Sequence, residues 1–134
     1  MKAIGTNVLV RFLVNDDQQQ AEAVRRIFSR AEEQVEVFFV PLLVVMETIW
    51  VLDAAYEVSR SDILAVFNDL LLLPILEFEQ RSALQNMVSV AVANTVDLAD
   101  LLIAEIARLA GCHKVLTFDK KAAKSELFEL VASV

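Results

Sequence analysis

What most restricts the fold of this 134-residue chain is a repeated alternation of short apolar runs and longer stretches with helical spacing. Residues 35–40 (Val-Glu-Val-Phe-Phe-Val) are β-branched and aromatic and stop at Pro41, where a helical stretch begins. The same pattern recurs at residues 74–78 and 114–118, each followed by polar positions. Parallel strands need a crossover of a dozen or more residues between them, usually a helix, so this spacing predicts a parallel sheet. With two glycines, two prolines and no low-complexity linker, nothing marks a second domain. The expectation is an α/β fold: one domain over residues 1–134, with a central parallel sheet flanked by helices on both faces.

Composition narrows the class. Hydrophobic residues make up 57% of the chain and mean hydropathy is +0.53, which suits strands buried on both faces and an apolar patch covered by a partner. A membrane span needs roughly 20 uninterrupted apolar residues. The most apolar stretch, residues 37–46, is bounded by Glu36 and Glu47 and interrupted by Pro41, so no membrane association is expected. Near the N-terminus Arg11 cuts short any signal-peptide core. Cys112 is the only cysteine, which excludes a disulfide framework and a cysteine-based metal site and fits a reducing cytoplasm. A formal charge of −7 argues against a broad basic surface for nucleic acid. Any such chemistry must rely on bound cations and a local basic rim.

Along the chain, residues 3–13 form an apolar run consistent with a buried strand leading into a helix turn. Asn15, Asp16 and Asp17 form a turn and cap cluster, after which Ala21, Val24, Ile27, Phe28 and Ala31 repeat at helical spacing. Further helices are predicted over 42–55, from the capping box at Ser59 to about 72, over 81–93, and from Asp97 to Gly111. Strands are predicted at 35–40, 74–78, 114–118 and near 127–131, with a short basic helix over 120–124 before the last.

Four apolar elements run out beside a polar loop or cap, and three carry a carboxylate there: Glu47, Asp100 and Asp119. Ligands in such folds bind beyond the carboxyl ends of the strands. Asp119 closes the run Val115-Leu116-Thr117-Phe118, and an N-cap role is an equal explanation for it. Asp97 reads as the cap of its helix. Asp100 lies three residues on, among Leu101, Leu102 and Ile103, with no basic neighbour. Glu47 stands among Val44, Val45, Met46, Ile49 and Trp50 with no Lys or Arg one turn away. A carboxylate in apolar surroundings requires a partner or a metal, unless Glu47 lies on the outer face. The fourth element reads Ile4-Gly5-Thr6-Asn7 and has glycine in place of an acid, with Thr6 and Asn7 as polar groups at the same edge. Arg11, Arg25, Arg26, Arg30, Lys120, Lys121 and Lys124 could supply a phosphate-facing rim. His113 has no histidine partner, which argues against a zinc site.

The segments Ile4-Gly5-Thr6-Asn7-Val8-Leu9-Val10-Arg11, Val45-Met46-Glu47-Thr48-Ile49-Trp50, Val96-Asp97-Leu98-Ala99-Asp100-Leu101-Leu102 and Leu116-Thr117-Phe118-Asp119 together resemble the PIN domain. Within it they look most like the VapC-type ribonuclease toxins of type II toxin–antitoxin pairs. The resemblance covers nearly the whole chain. It implies an endoribonuclease dependent on Mg²⁺ or Mn²⁺, with an RNA substrate, a cognate antitoxin, a homodimeric state and a cytoplasmic location. The family's four acids fall on Gly5, Glu47, Asp100 and Asp119, with Thr6 or Asn7 in support. Its first motif begins with aspartate, so Gly5 removes one ligand of the set. The competing expectation is a catalytically inactive binding module that dimerises and holds an antitoxin. A phosphoaspartate enzyme is disfavoured because Gly5-Thr6-Asn7 offers no aspartate at the first strand.

Overall fold

The computed structural model describes residues 1–132, which fall into two compact units that divide between Arg81 and Ser82. In the first unit, β1 (Lys2–Ala3), α1 (Thr6–Leu13), α2 (Gln18–Gln34), β2 (Phe38–Val40), α3 (Leu42–Ala54), α4 (Arg60–Leu71) and β3 (Leu76–Phe78) follow in order. The strands form one parallel ladder, β1-β2-β3, with Lys2 opposite Phe38 and Phe38 opposite Leu76. Each step along it is a crossover of two helices, as parallel pairing requires.

The apolar run at the N-terminus departs from expectation. Only Lys2–Ala3 is strand, and both residues are exposed. The ladder extends one bond further, from Ile4 N–H to the Phe39 carbonyl at 3.0 Å, and helix begins at Thr6. A continuous apolar run has no period to separate strand from helix. Burial decides here, since Leu9 and Val10 face the core from α1.

The strand expected over 35–40 is also shortened, because Val35 ends α2 with φ 55°, in the left-handed region. Its following residue, Glu36, donates N–H to the Ala31 carbonyl at 2.9 Å, closing the turn. A β-branched residue strains in this conformation, at a cost of about 1–2 kcal/mol. Glycine removes that strain but loses roughly 0.5–1 kcal/mol in backbone entropy. Val35→Gly is therefore expected to stabilise the protein by up to about 1.5 kcal/mol, read as a raised urea midpoint. An unchanged or lower midpoint would contradict it.

Caps elsewhere follow the sequence. Asp17 accepts from Gln20 N–H at 3.0 Å, and Ser59 Oγ accepts from Asp62 N–H at 3.2 Å. The core of this unit includes the fully buried Leu9, Val40, Val45, Leu52 and Phe67. Rings of Phe12, Phe28 and Phe38 pack in series, tilted against one another, with centroids 4.8 and 5.8 Å apart, and so tie α1 and α2 to β2.

The second unit contains α5 (Arg81–Ala91, opening at the boundary residue), α6 (Leu98–Leu109), β4 (Val115–Thr117), a 3-10 turn (Ala122–Lys124) and β5 (Phe128–Leu130). β4 and β5 pair in parallel, with Val115 opposite Phe128. Leu84, Met87, Leu101 and Leu102 are fully buried. Gly111 ends α6 with φ 92°. Cys112 N–H reaches the Ala107 carbonyl at 2.9 Å and Gly111 N–H the Arg108 carbonyl at 3.0 Å, the paired bonds of a Schellman stop. Strand pairing among the described residues is parallel throughout, as the alternation predicts, and the strands form two ladders. Among these residues no helix is long and apolar enough to cross a membrane.

Candidate functional site

In the second unit, Asp97, Asp100 and Asp119 form an acidic group. Asp97 is the N-cap of α6, its Oδ1 accepting from Ala99 N–H at 3.0 Å and Asp100 N–H at 3.3 Å. The helix dipole and these bonds account for its charge. Asp119 is fixed just beyond β4. Its Oδ1 accepts from Lys121 N–H at 2.8 Å and Ala122 N–H at 3.3 Å, and its own N–H donates to Thr117 Oγ1 at 3.0 Å. One carboxylate oxygen thus caps the 3-10 turn, while Oδ2 carries no hydrogen bond among the described residues.

Asp100 sits in the first turn of α6 and is partly buried. Its carboxyl group is held above the ordinary range first by burial, then by the negative charges of Asp97 and Asp119. No ion pair relieves it among the described residues. Two neighbouring carboxylates with no basic group between them disfavour ionisation, and a cation reverses that preference.

The first unit holds the remaining expected residues. Gly5 is the N-cap of α1, with φ −89° and ψ 170° and no side-chain cap bond. This extended backbone suits any residue, and a Cβ added at Gly5 meets nothing within 4 Å. The glycine therefore has neither a conformational nor a steric reason. Thr6 and Asn7, expected as polar groups at the edge of the first strand, are the first two residues of α1, Thr6 partly buried and Asn7 exposed.

Glu47 lies on α3 and is exposed, so the apolar surroundings inferred from its neighbours do not enclose it. Helical geometry sends Val45, Thr48 and Ile49 inward. Leu43, Glu47 and Trp50, spaced by four and three residues, share the outer face, where Leu43 is 80% and Trp50 65% exposed.

The expected basic rim divides. Arg11 is committed within its own unit: Nε donates to Gln20 Oε1 at 2.7 Å, and Nη1 lies 3.3 Å from both Asp16 Oδ1 and the Tyr56 hydroxyl. Tyr56 in turn donates to Asp16 Oδ2 at 2.6 Å. That bond, followed by the charge of Arg11, keeps the Asp16 carboxyl below its usual range. The network links α1 to the start of α2 and the end of α3, and takes Arg11 out of the rim. Its members are 5 to 45 residues apart in sequence, so no local spacing announces it. Arg25, Arg26 and Arg30 are exposed along α2, interleaved with Glu22 and Glu33 around a shallow surface depression. Lys120, Lys121 and Lys124 are exposed beside Asp119. His113 and Cys112 are exposed in the turn before β4.

Among the described residues, no group of three or more His, Cys, Asp or Glu side chains is gathered closely enough to hold a metal ion. A preformed all-protein cage is thus missing, whereas an ion that retains much of its water needs only one or two carboxylates. The Asp100 and Asp119 oxygens are the right donor chemistry for such an ion.

Comparison with known proteins bears on what this arrangement belongs to. The chain is 24% identical over 124 residues to the VapC ribonuclease of Aquifex aeolicus (strain VF5), covering 92% of this chain and 91% of that protein. The PIN domain family model matches residues 3–126. With parallel strands, two-helix crossovers and acids beyond β4 and at the head of α6, the chain belongs to the PIN domain family.

Proposed function

We propose that this protein is an endoribonuclease dependent on Mg²⁺ or Mn²⁺, acting as the toxin of a toxin–antitoxin pair through one catalytic domain over residues 1–134. What carries this reading is the placement of Asp100 in the first turn of α6, partly buried and without an ion pair among the described residues, where the charges of Asp97 and Asp119 act on it. Its support in homology is the family membership and the similarity to a VapC ribonuclease.

Asp100 and the free Oδ2 of Asp119 would hold the ion, and the resemblance of its motif also assigns Glu47 to metal binding. When bound, a divalent metal lowers the pKa of a coordinated water and stabilises the leaving oxygen of a phosphodiester. The protein's own part is orientation. Backbone N–H groups of Lys121 and Ala122 hold Asp119 in one rotamer, and the α6 cap at Asp97 sets the first turn that carries Asp100. Thr6 and Asn7 supply a hydroxyl and an amide at the head of α1. Gly5 stands where the family's first aspartate belongs, so the chain as written is a weakened nuclease. An RNA substrate, a cognate antitoxin, a homodimer and a cytoplasmic setting complete the reading.

Calorimetric titration with Mn²⁺ tests the ligand set. Glu47→Ala and Asp100→Ala are each expected to weaken binding by at least about 10-fold. Titrations unchanged in both variants overturn the assignment. A second reading, the inactive module that dimerises and grips an antitoxin, draws on the exposed Leu43 and Trp50 of α3 and on the missing acid at Gly5. Full RNA cleavage by the unaltered chain excludes it.

A further inference from the structure

The turn after β4 carries a feature that metal chemistry does not use. Phe118, directly before Asp119, is 76% exposed. A ring left in water forgoes the gain of burial, and its open face is available to an occupant. The backbone on both sides of it is pinned. Thr117 Oγ1 accepts from Asp119 N–H, the Asp119 carboxylate takes the N–H groups of Lys121 and Ala122, and Ala123 N–H donates to the Asp119 carbonyl at 3.0 Å. A ring presented from a fixed turn loses little freedom on binding.

Charge identifies the occupant. Residues 113–124 hold four lysines, Lys114, Lys120, Lys121 and Lys124, against one acid, Asp119, in a chain of net charge −7. None of these lysines forms an ion pair among the described residues. An exposed ring among unpaired lysines matches single-stranded nucleic acid, whose bases stack on aromatic faces while cations take its phosphates. A protein partner suited to the ring alone would leave that local positive charge unanswered.

We infer that Phe118 is a stacking platform for a nucleobase of single-stranded RNA, set next to Asp119, with Lys120, Lys121 and Lys124 on the adjoining phosphates. The inference rests on the nuclease reading and adds a substrate-positioning residue to it. It also gives RNA a foothold on an acidic protein.

Fluorescence anisotropy with a labelled single-stranded RNA oligonucleotide, in EDTA and again in Mg²⁺, provides the test. Phe118→Ala is expected to weaken binding roughly 5- to 100-fold, whereas Phe118→Tyr retains it. On an oligonucleotide of the same length lacking bases, Phe118→Ala is expected to bind as the parent does. Replacing Lys120, Lys121 and Lys124 with glutamine is expected to flatten the salt dependence by about 0.7 in log–log slope for each phosphate left without its lysine, on both oligonucleotides. Equal binding by parent and Phe118→Ala overturns the stacking role and leaves the nuclease reading standing. So does an equal weakening on the abasic strand. If Phe118→Ala instead converts an oligomer to monomer with RNA binding unchanged, the ring belongs to a protein interface and the inference fails. No RNA binding by the parent chain in either buffer overturns both readings together.

Discussion

Gly5→Asp is expected to raise Mg²⁺- or Mn²⁺-dependent RNA cleavage at least about 10-fold, and towards 100-fold. The magnitude follows from what losing metal support costs: disturbing even an outer partner of a metal site typically removes about 10–100-fold in affinity or activity. The structure removes the usual obstacle to restoring a side chain at a glycine. Position 5 has an extended backbone and an N-cap geometry, and a Cβ there touches nothing within 4 Å. Aspartate is also among the best N-cap residues, so the same substitution is expected to stabilise α1 by a few tenths of a kcal/mol. Gain of activity and gain of stability are therefore aligned, which separates this change from the common trade-off between them. The measurement is cleavage of an RNA substrate by parent and variant over a metal titration, with thermal unfolding of both. A folded variant as inactive as its parent would show that Gly5 is not what limits the enzyme.

Asp100→Asn is expected to act in opposite directions on activity and on stability. Cleavage, measured in the Gly5→Asp background where there is activity to lose, should fall by at least about 10–100-fold. Without metal, the same variant should be more stable than its parent at neutral pH. The reason is electrostatic: burial and the charges of Asp97 and Asp119 disfavour the ionised Asp100 side chain in the folded state. A carboxyl group whose folded pKa lies above its unfolded value of 3.8 binds more protons when folded. Stability from this group is then fully present below pH 3.8 and is lost as pH rises through the raised folded value. The difference in urea midpoint between variant and parent, measured in EDTA, should accordingly grow with pH across that window and then level off. Mg²⁺ should shrink it by neutralising the parent's site. A variant less stable than its parent at pH 7, with no pH-dependent difference, would refute this account.

The placement of the candidate acids of the second unit could be read from the chain because they lie next to strong local signals. Asp97 and Asp100 follow from a helix start, and Asp119 from the end of a β-branched run beside Thr117. The cap at Asp97 and the position of Asp119 at the end of a strand match the hydrogen bonds found. Glu47 shows the limit of that reasoning. Its apolar neighbours in sequence suggest burial, but at 100° per residue they lie on other sides of the helix, and the acid itself is exposed. Arg11 shows another limit. Its spacing suggests a phosphate contact, yet Asp16, Gln20 and Tyr56 already engage its guanidinium.

By itself the sequence determined the parallel α/β class, the caps at Asp17, Ser59, Asp97 and Gly111, and the glycine at position 5, where the resemblance places an acid. These depend on local periodicity, on short-range hydrogen bonds and on residue identity, all written along the chain. Only the tertiary structure decided that the first apolar run is mostly helix and that Val35 turns left-handed before β2. It alone showed that Arg11 is spent on a buttress and that Phe118 stays in water. Each of those outcomes depends on which atoms distant segments bring together or leave uncovered. Burial and pairing energies are set across the fold, where a single segment carries no record of its neighbours.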